Sequence, residues 1–402
     1  MFIRNQRAFV ARTCKLAGLY PVQLLPEDEN LRKLYTIYYQ ALIMLYFICL
    51  ISFCTELFHL LRAEKATVDD ILKSISMTTL FAMTALRQWV IRSSPDVQKI
   101  LRKAGNVEQR VYEENDPEVV NIFERAGHVA LLYYIYYAVG TVFLCLGCIL
   151  EPLYDNQKVF SGNATAFSRK LPLPLWFPYD IQAHYWETFC VTILLICLLV
   201  VFQVAVDVLF FYFIRSPVIQ LEILHHFFKR FNDYTGRISV EPGNVASNVM
   251  MRKCIDMHRK VIKFVDIFNE NFSNIIVLDF VQSSFRLASI SAAIIMIESF
   301  TVTSFVFTLI FLWITLVREY YIYHAGNEII FLSSGLVHSV YETDWYIENR
   351  QFKYMVKMFM VRAGKPLDIK IGRFGSLGFP ALLSILQASY SYVTLVRGIQ
   401  KS

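Results

Sequence analysis

Long apolar runs alternate with charged connections along this chain. Five runs contain no charged residue and approach the roughly 20 residues that a helix needs to cross about 30 Å of hydrocarbon. They are residues 34–55, 129–150, 188–206, 299–317 and 374–396. Two further stretches are weaker, because only residues 74–86 are uncharged around 71–91, and Asp279 and Arg286 interrupt the run around 275–297.

The distribution of Lys and Arg indicates that the weaker stretches also span. With five spans the 39 basic residues divide 17 against 22, whereas with seven they divide 28 against 7, with four inside the spans and Arg397 counted with the smaller group. Cytoplasmic loops collect Lys and Arg, so the pattern predicts seven transmembrane helices, a cytoplasmic N-terminus and an extracellular C-terminus. The predicted spans are residues 34–56, 71–91, 127–150, 185–214, 272–297, 299–318 and 376–397. The predicted fold class is therefore an all-α integral membrane protein.

This topology divides the chain into four parts. They are a cytoplasmic N-terminal segment (1–33), a six-helix bundle (34–318), a cytoplasmic anchor region (319–375), and a seventh helix with a short extracellular tail (376–402). The long connections at 92–126, 215–271 and 319–375 all lie on the cytoplasmic side and carry apolar residues at helical intervals. We therefore expect the spans to continue as helices into the cytoplasm and to pack there.

The longest external connection, residues 151–184, contains four prolines and cannot form one continuous helix. We expect it to cover the outer mouth of the bundle. It includes the sequon Asn163-Ala164-Thr165, which makes Asn163 a candidate glycosylation site on the predicted outer side.

Composition and motifs narrow the functional classes. Mean hydropathy is +0.42 and only 18% of residues are charged, below the roughly 25% of soluble domains. The net charge of +6 is accounted for by basic cytoplasmic loops, so membrane lipid and not nucleic acid is the expected surrounding partner. Zinc-protease, nucleophile-elbow, phosphate-loop and dinucleotide motifs are all missing, so we expect no enzyme, no cofactor and no metal site.

Charged residues at membrane depth are costly unless they face a partner or water. Asp279 and Arg286 share one side of the fifth span, and two interpretations stay open. They form a polar pathway through the bundle, or they contact Asp207 or Gln203 of the fourth span. Arg87 lies near the end of the second span, where we expect its side chain to snorkel to the interface.

The last span is unusually rich in small and polar residues. They are Gly375, Gly378, Pro380, Ser384, Gln387, Ser389, Ser391 and Thr394. A helix that lines an aqueous pore, or that packs against copies of itself, has use for such positions. Toward its outer end Leu395 and Ile399 are four apart and would form an apolar ring in an oligomer, as a gate does. Ordinary helix packing is the alternative interpretation.

The region 325–400 resembles the C-terminal signature of the insect odorant receptors. The matching motifs are Gly326-Asn327-Glu328, Tyr341 to Tyr346 around Trp345, Lys365-Pro366-Leu367 and Ser389-Tyr390-Ser391-Tyr392 through Arg397. The related gustatory receptors typically end in a Thr-Tyr and Gln-Phe pattern that this chain does not follow. The obligate co-receptor of the family has a much longer loop after the fourth span, so the chain resembles a ligand-tuned subunit.

The resemblance implies an odorant-gated, non-selective cation channel in the plasma membrane of olfactory neuron dendrites. In that scheme the chain forms a heterotetramer with the odorant receptor co-receptor, and the last helix of each subunit lines the pore. The implied gate residues are Leu395, Gly398, Ile399 and Gln400. Tyr341 and Trp345 take structural roles in the cytoplasmic anchor that joins subunits.

The resemblance also places a ligand pocket in the outer half of the bundle, among the second, third, fourth and sixth spans. The side chains there are aromatic or apolar with a few hydroxyls, which suits a small and mostly apolar volatile, aromatic ones included. The predicted pocket residues are Ile75, Thr78, Thr79, Tyr136, Tyr137, Gly140, Thr141, Tyr185, Phe189, Thr192, Ser304, Phe305 and Thr308.

Four other functions are the alternatives for a polytopic chain, and one of them, a membrane enzyme, requires a paired catalytic constellation that the sequence does not contain. A G-protein-coupled receptor has the opposite N-terminal orientation, and its Asp-Arg-Tyr and Asn-Pro-x-x-Tyr motifs are missing at the expected span ends. A secondary transporter would use Asp207, Asp279 and Arg286 for coupling. A gustatory-type receptor channel would share the architecture and differ in its ligand.

Overall fold

The computed structural model describes residues 4–20, 28–63, 68–114, 116–160, 169, 171–238, 243–296 and 302–401. Helices make up most of them. The helices are α1 (Arg4–Leu16), α2 (Glu29–Arg62), α3 (Val68–Ser93), α4 (Pro95–Glu114), α5 (Pro117–Phe160), α6 (Tyr185–Lys229), α7 (Phe231–Ile238), α8 (Gly243–Met296), α9 (Val302–Tyr341), α10 (Arg350–Ala363) and α11 (Phe379–Lys401). Strands β1 (Lys370–Ile371) and β2 (Gly375–Ser376) form a short antiparallel hairpin before α11.

Each of the seven predicted spans corresponds to one long helix, namely α2, α3, α5, α6, α8, α9 and α11. The start of the last span differs from the prediction. Gly375 lies in the hairpin, with a φ of 146°, and Gly378 precedes the helix, which begins at Phe379. The hairpin holds this segment extended because the Leu377 N–H donates to the Ile369 carbonyl at 2.7 Å.

Helix α6 lies at the centre of the bundle. Between Phe202 and Leu224 almost every side chain is buried, and α6 packs against α1, α3, α5, α8 and α9. On length and composition alone, three helices within the described residues are apolar enough to cross a membrane. These are Glu29–Arg62, Pro117–Leu150 and Tyr185–Lys229.

The bundle has two different ends. We call the end that carries residues 171–184 the loop end, and the end that carries α4, α7, α10 and the hairpin the base end. Several helices run past their predicted spans toward the base end, since α6 continues to Lys229, α9 continues to Tyr341 and α8 starts already at Gly243. The expectation that the spans continue as helices beyond the apolar runs is thus confirmed.

Aromatic packing and backbone contacts assemble the base end. The Phe228 and Phe359 rings lie 5.2 Å apart between α6 and α10, and Phe231 and Phe352 lie 5.5 Å apart between α7 and α10. α10 is capped by the Asn349 side chain, which accepts from the Phe352 N–H at 2.8 Å. Such a cap satisfies one of the free donors at a helix N-terminus and fixes where the helix begins.

Candidate functional site

Six charged side chains are buried together in the middle of the bundle, and we call them the charge network. Its members are Arg87 from α3, Asp207 from α6, Asp279 and Arg286 from α8, and Arg318 and Glu319 from α9. The network holds three positive and three negative groups, so its formal charge is zero. Burial of such groups is tolerable only when each charge is paired and hydrogen-bonded.

Two arginines share two aspartates at the centre of the charge network. Arg87 Nη1 donates to Asp207 Oδ1 at 2.7 Å, and its Nη2 donates to Asp279 Oδ1. Arg318 Nη2 lies 3.3 Å from both Asp207 Oδ1 and Asp279 Oδ1. This square of charges joins α3, α6, α8 and α9 at one level of the bundle.

A second group of contacts surrounds Glu319. Its Oε1 accepts from Arg318 Nη1 at 2.7 Å and from Arg286 Nη2 at 2.7 Å. The hydroxyl of Ser283 also donates to this oxygen, at 2.8 Å. Arg318 is therefore the member that connects the aspartates to Glu319.

Neutral side chains complete the coordination of Asp207. The Tyr137 hydroxyl reaches across from α5 and donates to Asp207 Oδ2, which also accepts from Gln203 Nε2 one turn earlier in α6. The Thr84 hydroxyl of α3 in turn donates to Gln203 Oε1. Asp207 is fully buried, and these donors together with the two arginines compensate for its lost hydration.

The charge network bears on the two interpretations of the fifth span. Asp279 contacts Asp207 of the fourth span only through Arg87 and Arg318, which both aspartates share, so the structure favours the contact interpretation but replaces the predicted direct hydrogen bond by shared ion pairs. The expectation that Arg87 snorkels is wrong. Its side chain is only 2% exposed and is directed into the bundle. α3 continues to Ser93, which places Arg87 well inside the helix.

Two members, Arg318 and Glu319, were not singled out from the sequence. They follow the uncharged run at 299–317, so hydropathy alone places them at a span boundary. The available signal was the adjacent pair of opposite charges at the end of that run. This pair indicates a buried site only if α9 is known to continue for another 22 residues, to Tyr341.

Six of the predicted pocket residues are buried in the bundle. They are Thr78, Tyr137, Thr141, Tyr185, Phe189 and Thr192. Ile75, Thr79, Gly140, Phe305 and Thr308 are half-buried. At about 1.5 Å per residue, Thr192 lies roughly 22 Å from Asp207 along α6. The predicted set thus extends from the level of the charge network, at Tyr137, to the loop end.

Tyr136 does not join the buried set. It lies on the outer surface of α5 with 47% of its side chain exposed, and it accepts a hydrogen bond from the indole N–H of Trp313, which is 59% exposed. Its neighbour Tyr137 is rotated by about 100° around α5, as consecutive helical residues are, and its side chain is buried. The Ser304 side chain is outside the described part of the chain.

The described part of the long connection lies against the loop end. Ser52 of α2 and Trp176 form two hydrogen bonds, and Leu173 and Leu175 are buried. The Tyr179 hydroxyl lies 3.1 Å from the hydroxyl of Thr188 in the first turns of α6. The segment thus bridges α2 and α6 at the loop end. Asn163, the candidate glycosylation site, lies outside the described residues.

Helix α11 contains all four predicted gate positions, Leu395, Gly398, Ile399 and Gln400, but their side chains are outside the described set. The two predicted anchor residues lie at the base end. Tyr341 ends α9 and is 59% exposed, whereas Trp345 is half-buried against the core. Their rings lie 6.2 Å apart.

The C-terminal motifs meet where α9, the hairpin and α11 come together. A side-chain carbon added at Gly326 would lie 2.3 Å from the carbonyl oxygen of Leu377, so only glycine permits this approach of α9 to the start of α11. The Ser333 hydroxyl accepts from the Leu367 N–H at 2.9 Å. Glu328 forms an ion pair with Arg215 of α6.

Comparison with solved structures shows that this arrangement of helices is an all-α membrane fold with seven transmembrane helices. The insect olfactory receptor OR5 from Machilis hrabei, solved in complex with eugenol, matches 99% of this chain and 98% of its own, with a TM-score of 0.80 at 16% identity. The structure of the same receptor described without eugenol matches with a TM-score of 0.78 at 15% identity.

Sequence comparison identifies the family. The model of the 7tm odorant receptor family matches residues 67–390, so the chain belongs to that family. Odorant receptor 30a of Drosophila melanogaster is 21% identical over 86% of this chain and 88% of its own length. Odorant receptor 10 of Aedes albopictus is 24% identical over 64% of this chain and 66% of its own. The chain is accordingly a receptor and not an enzyme.

Proposed function

We propose that the chain is a ligand-tuned subunit of an odorant-gated, non-selective cation channel. The observation that carries this proposal is the agreement of the whole fold with an olfactory receptor over 99% of the chain. The subunit assembles with the odorant receptor co-receptor into a heterotetramer in the plasma membrane of olfactory neuron dendrites. In this assembly α11 lines the pore, the positions of Leu395 and Ile399 form the gate, and Gly398 and Gln400 lie beside it.

We place the base end in the cytoplasm and the loop end outside. The supporting observation is the concentration of Lys and Arg in the connections of the base end. Residues 319–375 then form the cytoplasmic anchor, where the exposed Tyr341 ring is available to a neighbouring subunit. This orientation would put the sequon at Asn163 on the side where glycosylation occurs. A tag at the N-terminus should be accessible only after the cells are permeabilised. Labelling of the tag on intact cells would show the opposite orientation.

We place the ligand between the charge network and the segment 171–184. The buried predicted residues there combine the rings of Tyr185 and Phe189, 5.8 Å apart, with the hydroxyls of Thr78, Thr141 and Thr192. These hydroxyls already donate to carbonyls one turn earlier in their own helices. They therefore offer a ligand mainly acceptor lone pairs, so small volatiles with an apolar body and one hydroxyl donor should bind best.

The test is the whole-cell current during pulses of volatile phenols, beginning with eugenol, and of other aromatic volatiles. Cells should express this chain alone, the co-receptor alone, or both. We expect a fast cation current that needs both chains and is altered by Leu395→Ala. If both chains reach the surface and no volatile evokes a current in any combination, the channel proposal is contradicted.

A further inference from the structure

We propose that the charge network transmits ligand binding at Tyr137 to the pore helix α11 at Ser389. This inference rests on the proposed function, because it takes the predicted ligand pocket and the predicted pore helix as its two ends. A series of hydrogen bonds and ion pairs, interrupted only by the backbone between Ser283 and Ser284 of α8, joins those ends through the interior of one subunit.

The upper end of the series is Tyr137. It is the predicted pocket residue whose hydroxyl also coordinates the charge network, through its bond to Asp207. Its backbone carbonyl accepts from the Thr141 hydroxyl one turn nearer the loop end. The next turn of α5 is packed tightly, because an added side-chain carbon at Gly140 would lie 3.1 Å from Ile314 of α9. A ligand that displaces this part of α5 therefore also displaces the Tyr137 hydroxyl.

The middle of the series is Arg318. One of its terminal nitrogens faces Asp207 at 3.3 Å, and the other donates to Glu319 at 2.7 Å. A change in the position of Asp207 is thus felt by the guanidinium that also holds Glu319. Because the guanidinium is planar and rigid, its two ends cannot move independently.

The lower end passes from α9 through α8 to α11. Ser283 donates to Glu319 at 2.8 Å, and the carbonyl of the next residue, Ser284, accepts from the Ser389 hydroxyl of α11 at 3.3 Å. Ser389 is buried and also donates to Ile385 within its own helix at 2.8 Å. α8 is the main packing partner of α11. A shift of this turn of α8 therefore acts directly on α11.

Buried ion pairs break and form as whole contacts. Such a connection therefore suits a switch between discrete arrangements better than a gradual shift. Removing one partner leaves an uncompensated charge in an apolar interior, so the groups move together or exchange partners as a set. Two shared aspartates and two shared arginines provide alternative pairings at similar distances. Energetic coupling between distant sites needs an element with discrete arrangements, and the shared partners of the charge network are the element to which we assign this role.

A double-mutant cycle on thermal stability tests the coupling without any ligand. The variants are Tyr137→Phe, Ser389→Ala and the double variant, each purified in the assembly that it forms in membranes. Changes at sites that share no partner add in their effects. We expect the midpoint of the double variant to differ from the additive value by about 2 °C or more.

The matched control replaces Ser389→Ala with Ser391→Ala. Ser391 lies on the same helix but is exposed, and its hydroxyl donates to Gln387 of its own helix at 3.0 Å. The midpoint shifts of Tyr137→Phe and Ser391→Ala should add in the double variant. If the midpoint shifts of Tyr137→Phe and Ser389→Ala also add, the proposed coupling is overturned.

A second measurement asks whether the coupling operates in gating. With the volatile that evokes current, Tyr137→Phe should shift the half-maximal concentration several-fold. Ser389→Ala should add little further shift in the Tyr137→Phe background, whereas Ser391→Ala should act independently. Absence of current in the wild type counts against the channel proposal alone, since the stability cycle reports on the coupling in either case.

Discussion

The middle of the bundle and its base end are held together by opposite means. In the middle, Arg87, Asp207, Asp279 and Arg318 join four helices through charge pairs. At the base end the helices are joined mainly by buried rings, among them Phe352 and its neighbours. The same chain thus uses polar contacts where its surroundings are apolar and apolar contacts where they are aqueous.

The solvent on each side explains this difference. Lipid tails are as apolar as the side chains that they touch, so there is little hydrophobic gain when helices associate inside a bilayer, and polar contacts fix their register. Outside the bilayer, water drives apolar side chains together. The charge network should therefore be sensitive to single charge changes, and the base end to changes in shape.

The largest expected effect is the loss of the central arginine. Arg318→Met leaves Asp207 and Asp279 with one cation between them and also removes a donor from Glu319. We expect the free energy of unfolding to fall by about 3–5 kcal/mol, as for other broken buried pairs. The measurement is thermal unfolding in detergent. Arg259→Met is the control, since that side chain is 77% exposed, and equal midpoints for the two variants would contradict the account.

A smaller effect is expected from a change in shape at the base end. Gly326→Ala places a carbon 2.3 Å from the Leu377 carbonyl oxygen, so α9 and the start of α11 must separate. Overpacking of this kind destabilises by about 1–3 kcal/mol. Gly236→Ala is the matched control, because an added carbon there meets nothing within 4 Å. A wild-type unfolding midpoint for Gly326→Ala would show that this approach is not required.

A polar contact at the base end should matter less. The Asn269 side chain donates to the Asp368 carbonyl and accepts from the Lys370 N–H, each at 2.9 Å, and so fixes the hairpin against α8. Because this site is partly exposed, water replaces the lost bonds in Asn269→Ala, and we expect a loss of about 1 kcal/mol. Unfolding midpoints of Asn269→Ala and of Asn232→Ala, an exposed site, provide the comparison. If Asn269→Ala lowers the free energy of unfolding as much as Arg318→Met does, the middle of the bundle and the base end do not differ in the way described.

A further effect, which appears only on acidification, is a pH dependence at the base end. His258 is buried with its ring 4.9 Å from Phe359, and burial, together with the charge of Arg362, lowers its pKa from 6.5 to about 4. As the pH falls, His258 is therefore protonated at a higher pH in the unfolded chain than in the folded protein. The contribution of the neutral ring is complete above about pH 6.5 and is lost as the pH falls toward 4.

The comparison that isolates this group is His258→Gln. Its unfolding midpoint should fall less between pH 7 and pH 5 than that of the wild type, because the substituted side chain does not titrate. Parallel pH profiles for the two proteins would show that His258 does not contribute to the dependence.

Hydropathy and charge predicted the helices well because both are properties of a single segment. Each long apolar run became a helix, and only the start of α11 was misplaced, where Gly375 and the hairpin hold the chain extended. Partners across helices were harder to predict. Asp279 and Arg286 were recognised as costly, but their partners, Arg318 for Asp279 and Glu319 for Arg286, depend on where α8 and α9 cross, which no local pattern records.

The pocket was predicted only in part for the same reason. Tyr136 and Tyr137 are equally aromatic in the sequence, yet one lies on the outer surface and the other inside. A rotation of 100° per residue separates them, and the orientation of α5 about its own axis is set by packing against α6 and α9. A pattern of residue types cannot supply that angle.

The charge network should be stable because its three positive and three negative groups make it neutral as a whole. The direct test is thermal unfolding of Arg87→Gln, Asp279→Asn and the double variant, three proteins that differ in the charge balance of the network. Each single variant leaves one unmatched charge, whereas the double variant restores neutrality. We predict that the double variant unfolds at a higher temperature than either single variant. A double variant whose losses add, and which is the least stable of the three, would contradict the claim.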